Sequence, residues 1–138
     1  MLRKLIDTNI FIDRFLNPDL HRDVFLSEGL PCLSAVVFME LRAGAHHREA
    51  VKAVYDVYAH FTRVGRLVLP SAADYERAGE IIAKLQSVKG YTIRKSASIT
   101  NDCIIAASAR RIGATLYTQN QKDFAAIQQL MPFKVMFV

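Results

Sequence analysis

Short apolar runs alternate along this chain with longer stretches in which apolar positions recur every three or four residues. Residues 3–7 read as a short buried strand that ends on Asp7. Thr8-Asn9 then opens an apolar helix from Ile10 to Leu16, closed by Asn17-Pro18. A second short helix is expected over residues 20–28, stopped by Gly29, and a brief strand over 31–34. Ser34 can cap a helix over 35–43, with Gly44 as its C-terminal signal. Val51, Val54, Tyr55, Val57, Tyr58 and Phe61 fall at helical spacing between residues 48 and 63, and Gly65 breaks that helix. Residues 66–69 are strand-like up to Pro70. Ser71 begins another helix, with Tyr75, Ala78, Ile82 and Leu85 on one face, that ends near Gly90. After a polar stretch over 91–101 the pattern predicts a helix over 102–112, a strand over 114–117, a helix over 123–129 and a final strand over 133–138.

Strands alternating with helices predict an α/β fold: a small parallel β-sheet flanked by helices. Right-handed crossovers bring the strand C-termini to one edge, and ligands bind such sheets there, where the strand order reverses. Asp7 closes the first strand and so stands at that edge. The 138 residues fit a single domain, 1–138.

Composition narrows the function. The 18 Lys and Arg residues outnumber the 13 Asp and Glu residues, for a net charge of +5. Such a balance suits a polyanionic partner, or simply a soluble surface. No apolar run approaches the length needed to cross a bilayer, and charges interrupt the N-terminus before a signal sequence could form, so a cytoplasmic protein is expected. Cys32 and Cys103 are far apart and read as free, buried thiols. The adjacent His46-His47 pair lacks zinc-ligand spacing and reads as surface.

Four acidic residues stand in unusual surroundings. Asp7 closes an apolar strand, Glu40 lies within Val36-Val37-Phe38-Met39-Glu40-Leu41, Asp102 precedes Cys103-Ile104-Ile105-Ala106-Ala107, and Asp123 follows a strand. Each has a plain structural use. Asp7 and Asp102 suit helix N-caps, Glu40 a solvated helix position, and Asp123 the positive end of the last helix. Taken together those uses weaken, because carboxylates within apolar stretches are costly unless paired or metal-bound. No basic residue is an obvious common partner. Two carboxylates brought within 4 Å repel by about 4 kcal/mol at an effective dielectric of 20, against about 1 kcal/mol returned by a cap. A divalent cation resolves that conflict, and hard oxygen ligands select Mg²⁺ or Mn²⁺.

At these residues the chain resembles a known family. Leu5-Ile6-Asp7-Thr8-Asn9, Met39-Glu40-Leu41-Arg42-Ala43-Gly44, Asn101-Asp102-Cys103-Ile104-Ile105-Ala106-Ala107 and Thr118-Gln119-Asn120-Gln121-Lys122-Asp123-Phe124 look like the four motifs of PIN domains. Their order and spacing are similar to the bacterial toxin branch, the VapC-type ribonucleases. The resemblance implies a PIN-like three-layer sandwich. It implies that Asp7, Glu40 and Asp102 are catalytic metal ligands for Mg²⁺ or Mn²⁺, with Asp123 the fourth acid. Some relatives carry that fourth acid where this chain has Asn120, so Asn120 and Asp123 share the assignment. Thr8, Asn9, Thr118 and Asn120 are expected to support the acids.

The reaction implied is phosphodiester hydrolysis by metal-activated water, leaving a 5′-phosphate and a 3′-hydroxyl. Of the 13 acidic residues four belong to this set, and the other nine face 18 basic ones. That excess can hold RNA phosphates, through Arg14, Arg42, Arg94, Lys95 and Lys122, with Lys89 a further candidate. The toxin branch implies a homodimer and a cognate antitoxin whose tail covers the acidic groove; the apolar positions of the 48–63 helix read mostly as core packing, with some available for such contacts. A PIN-like domain that binds RNA or protein without cutting is the alternative. A receiver domain needs a second acid at the first strand, and a haloacid-dehalogenase-like phosphatase needs an Asp where Asn9 stands.

Overall fold

A computed structural model describes residues 1–94 and 98–138. Strands β1 (Arg3–Ile6), β2 (Leu30–Ser34), β3 (Leu67–Val68), β4 (Thr115–Thr118) and β5 (Lys134–Phe137) form one sheet in the order β3-β2-β1-β4-β5. Every neighbouring pair is parallel, with Leu5 beside Cys32 on one side and Leu116 on the other. The helices are α1 (Thr8–Leu16), α2 (Arg22–Leu26), α3 (Ala35–Ala43), α4 (Arg48–Arg63), α5 (Ala72–Lys89), α6 (Ile99–Ile112) and α7 (Gln121–Leu130). The chain steps outward from β1 through β2 to β3, then returns past β1 to lay down β4 and β5. Right-handed crossovers therefore put α1 to α4 on one face and α5 to α7 on the other. The contacts agree: α3 touches α1 and α4, while α5, α6 and α7 touch one another.

The central strand is buried from both sides, as parallel sheets require. Leu5, Ile6, Leu33 and Leu116 have no exposed surface, and Ile10, Val37, Ile105, Phe124 and Ile127 close over them from the helices. Cys32 and Cys103 are buried free thiols. Lys4 is buried too, at 2% exposure. Its ammonium donates to the carbonyls of Val24 and Ser27 and to the Ser27 hydroxyl, tying the end of α2 to the sheet. The turn beside it needs Gly29, whose φ is +120° and where a Cβ would stand 2.7 Å from Lys4 Cε.

Charged groups also join the second layer. Ser71 and Asp74 form a capping box at the start of α5. Asp74, 3% exposed, then accepts from Arg111 Nε at 2.9 Å and from the Ser108 hydroxyl at 3.2 Å, locking α5 onto α6.

The fold agrees with the α/β sheet expected from the sequence. The boundaries differ where polar residues are helical. Helix α1 begins at Thr8, α6 at Ile99 and α7 at Gln121, each ahead of the expected start, and α2 covers only the middle of its expected range. At α6 the cause is visible. Ile99 is 1% exposed and anchors a first turn whose Thr100 and Asn101 read as loop by polarity. Among the described residues no helix is long and apolar enough to cross a membrane.

Candidate active site

Strand order reverses between β1 and β4, so the C-terminal ends of these strands open a crevice. Asp7 follows β1 and Thr118 ends β4, and the Thr118 hydroxyl donates to Asp7 Oδ2 at 2.7 Å. Asp7 is also the N-cap of α1, accepting from the Thr8 amide at 2.8 Å. The residue that caps α1 is therefore the one that Thr118 bonds across the crevice.

Glu40 reaches the same crevice from the middle of α3. Thr8 Oγ1 donates to Glu40 Oε1 at 2.7 Å, and Asn101 Nδ2 lies 3.5 Å from Oε2. Asp102 is not the N-cap of α6; it is the fourth helical residue, and its amide already bonds Ser98 O. The side chain is thus free of capping and is 4% exposed. Asp123 sits in the first turn of α7 rather than opening it. Asn120 is the cap, accepting from the Asp123 amide, while its Nδ2 donates at 3.1 Å both to Asp102 Oδ2 and to Asp123 Oδ2.

The fold thus draws Asp7 from the end of β1, and Glu40, Asp102 and Asp123 from α3, α6 and α7, near enough for their charges to act on one another. Burial and mutual charge govern their protonation. Burial pushes Asp102 up to about 8, and the charges of Asp7, Glu40 and Asp123 add to it. Burial lifts Asp7 above the ordinary carboxylate range, opposed by its bonds from Thr118 and Thr8. Glu40 is raised by burial, opposed by the Thr8 bond, with the charge of Asp7 adding to the rise. Among the described ion pairs none involves these four acids. Neutral donors stand on them instead.

Among the described residues no three acidic, histidine or cysteine side chains close on a common point. The carboxylates are near enough to perturb one another, yet are held on separate donors. The donor set still fits a hard divalent cation: it is all oxygen, it lacks a competing cation, and its charges couple. Glu40 and Asp123 are only half-buried, which leaves them room to rotate toward an ion.

The supporting residues expected from the sequence fall into place unevenly. Thr8, Thr118 and Asn120 bond the acids directly. Asn9 lies exposed in the first turn of α1. Tyr91 and Asn101 also bond the acids. The Tyr91 hydroxyl donates to Asp123 Oδ1 at 3.0 Å and is pushed up to about 12, by burial first and then by the bond to Asp123. A lone tyrosine after Gly90 gave no signal in the sequence. Asn101 lies in the first turn of α6, which turns it toward Glu40.

The basic candidates divide. Lys122 is exposed beside Asp123, and Arg94 is exposed in the turn after Tyr91. Arg42 is exposed on α3, with its guanidinium 6.0 Å from the centre of the Tyr55 ring. Lys89 bonds Gln129. Arg14 is not brought to the acids. It stacks 4.6 Å from the centre of the Phe25 ring, in a cavity of about 560 Å³ shared with Pro31 and Arg66 and lined by none of the four acids. Lys95 lies outside the described residues.

A second concave feature adjoins the acids. Ile12, Phe15, Leu16, Leu41, Ala45, Ala50 and Val54 line an apolar groove of about 230 Å³ between α1, α3 and α4, and Glu40 stands at its rim.

Solved structures with this fold come from several bacteria. A chain of the DNA-bound VapBC complex of Salmonella typhimurium superposes with a TM-score of 0.74 at 24% identity, covering 99% of this chain and 98% of that one. A chain of the toxin-antitoxin complex from Klebsiella pneumoniae gives 0.65 at 26% identity, covering 96% and 95%. A chain of VapBC-5 from Mycobacterium tuberculosis gives 0.63 at 21% identity, covering all of both chains. No curated protein matches the sequence. The PIN domain model matches residues 4–130, a span that contains all four acids, and the chain therefore belongs to the PIN domain family.

Proposed function

We propose that this chain is a metal-dependent endoribonuclease, the toxin of a type II toxin-antitoxin pair. The observation that carries the reading is the set of four carboxylates gathered at the switch point of the sheet, with no cation partner among the described residues and a raised Asp102. Charges so arranged work against folding, and a site that binds metal is the economical reason for them.

Asp7, Glu40, Asp102 and Asp123 would hold Mg²⁺ or Mn²⁺. Bound there, the ion supplies a water of lowered pKa and positive charge facing the scissile phosphate. The protein's own part is to fix the acids. Thr118 and the Thr8 amide hold both oxygens of Asp7, Thr8 and Asn101 hold Glu40, and Asn120 holds Asp102 and Asp123. Such outer bonds orient metal ligands. Exposed Arg94 and Lys122, close in sequence to Tyr91 and Asp123, would receive flanking phosphates, and cleavage would leave a 5′-phosphate and a 3′-hydroxyl.

The groove between α1, α3 and α4 supports the antitoxin part of the reading. It is apolar, it ends at Glu40, and Leu16 on its wall is 81% exposed. A partner segment lying in it would reach the acids. The VapBC and toxin-antitoxin complexes with this fold give the partner its chemical kind.

The test is cleavage of a mixed RNA pool in Mg²⁺ by the wild-type chain and by Asp7→Asn and Asp102→Asn. Loss of cleavage in both folded variants supports the reading. Equal cleavage by all three would place the activity elsewhere. Absence of cleavage from folded wild type would favour a binding module.

A further inference from the structure

Beyond the acids, one cluster of polar side chains is joined at the rim of the same crevice. Asp13 lies on α1, His21 immediately before α2, and Gln119 in the link between β4 and α7. His21 Nε2 is 2.7 Å from Asp13 Oδ2, and Gln119 Nε2 donates to that same oxygen at 2.9 Å. The two nitrogens stand 3.2 Å apart, both turned to one carboxylate oxygen. His21 adopts the left-handed conformation, with φ 54° and ψ 29°, and makes no side-chain bond to the helix it precedes. Among the described residues it is the only non-glycine with positive φ. That uncommon conformation accompanies the pairing with Asp13.

The position of Gln119 gives the cluster its meaning. On one side is Thr118, bonded to Asp7. On the other is Asn120, bonded to Asp102 and Asp123. The link is stiff: the Asn120 amide donates to Thr118 Oγ1 at 3.0 Å, and the Gln121 amide to Gln119 O at 3.0 Å. A side chain tied down at 119 therefore restrains two residues that orient three of the four acids. Its anchor, Asp13, belongs to the helix that Asp7 caps. The Asp13 carboxyl is held below its usual range, first by the His21 bond and then by the Gln119 bond, so the acceptor stays charged and the bonds are charge-assisted.

We propose that Gln119 is a positioning residue of the acidic site, held by the Asp13–His21 pair, and that these three residues set the site's affinity for a divalent cation. The inference rests on the metal-site reading above. Gln119 itself is exposed, so a purely structural role predicts little effect from its loss, and direct contact with RNA predicts an effect on RNA binding alone.

The experiment is titration of Mn²⁺, without RNA, into the full chain carrying Gln119→Leu, Asp13→Ala or both, with free Mn²⁺ read by electron paramagnetic resonance. Thermal midpoints in chelator and the KM and kcat of RNA cleavage accompany it. Each single variant should weaken Mn²⁺ binding about tenfold, the lower end of what outer-shell partners contribute. The double variant should be no weaker than the singles, because residues acting as one unit are not additive. Gln119→Leu should lower kcat, leave KM unchanged and leave the thermal midpoint in chelator within about 2 °C, as expected for an exposed position. If Asp13→Ala does not fold, His21→Asn, which tolerates the left-handed backbone but is too short to reach Asp13, takes its place in the cycle. Wild-type Mn²⁺ affinity in Gln119→Leu overturns the proposal, and so does a raised KM with unchanged Mn²⁺ binding. Failure of the wild-type chain to bind Mn²⁺ overturns the metal-site reading itself, and this inference with it.

Discussion

The Thr118 hydroxyl and the Asp7 carboxylate, 111 positions apart in sequence, are joined by a buried hydrogen bond of 2.7 Å. It crosses from the end of β4 to the residue after β1, and between these two strands the strand order reverses. Replacing Thr118 by Val keeps the shape and removes the donor. The variant should lose about 1–3 kcal/mol of stability, the cost of stranding a buried acceptor. Mn²⁺ affinity should fall by about tenfold or more. Urea unfolding and metal titration check the two halves separately.

The acids set a pH dependence opposite to the common one. Asp102 stands at about 8 in the folded chain against an ordinary 3.8. Between those values the folded state binds more protons than the unfolded state, so stability falls as pH rises through the window. Asp7 and Glu40 are raised as well and act in the same direction. In chelator the chain should therefore melt at a lower temperature at pH 9 than at pH 6. Asp102→Asn should flatten that slope and raise the pH 9 midpoint while abolishing cleavage. A variant that melts lower than wild type at pH 9 would contradict the account.

Asp74 works the other way. Burial raises its pKa, but the bonds from the Ser71 amide, Arg111 and Ser108 outweigh burial and leave it depressed. Its contribution to stability is thus fully present above the ordinary carboxylate value and lost as pH falls through the lower folded value. Arg111 is partly exposed, which discounts the pair. Arg111→Met should cost about 1–2 kcal/mol at neutral pH, below the range for fully buried pairs, and the loss should shrink in acid. Urea midpoints at pH 7 and pH 3 would measure both.

Gly29 should tolerate no side chain. Alanine there meets both a φ of +120° and Lys4 Cε at 2.7 Å. We expect Gly29→Ala to cost about 1–3 kcal/mol without changing metal affinity, since Lys4 lies outside the acidic site. Chemical denaturation beside an Mn²⁺ titration separates the two effects.

Much of this architecture was legible because two periodicities, of strand and of helix, run cleanly along the chain. The parallel α/β sheet followed from their alternation, and Asp7 stood out because an acid ended an apolar strand. Asp102 reads from the sequence as the residue before a buried run, whereas it lies a full turn inside that helix. Local polarity masked the helical turn that Ile99 anchors through tertiary burial. The bonds made by Tyr91, Asn101 and Gln119 were not legible for a related reason. Each acts through a partner distant in sequence, and a hydrogen bond across the fold leaves no spacing to read. Arg14 shows the converse, a cation that composition offers to RNA but that the fold stacks on Phe25.

The groove gives a prediction about partners. Leu16 is 81% exposed on its wall. Leu16→Glu should change stability by no more than about 0.5 kcal/mol and leave cleavage intact, yet prevent inhibition by a cognate antitoxin. Unimpaired inhibition of the variant would move the partner to another face.

The most direct test of the central claim is a single RNA cleavage reaction followed through loss and return of metal. Wild-type chain and a mixed RNA pool are incubated with Mg²⁺, then with excess chelator, then with excess Mn²⁺. Cleavage, arrest and resumption are expected in turn, with 5′-phosphate ends on the products and no cleavage at any stage by Asp102→Asn. Cleavage that continues in chelator, or products ending in a 2′,3′-cyclic phosphate, would contradict a metal-activated water held by these four carboxylates.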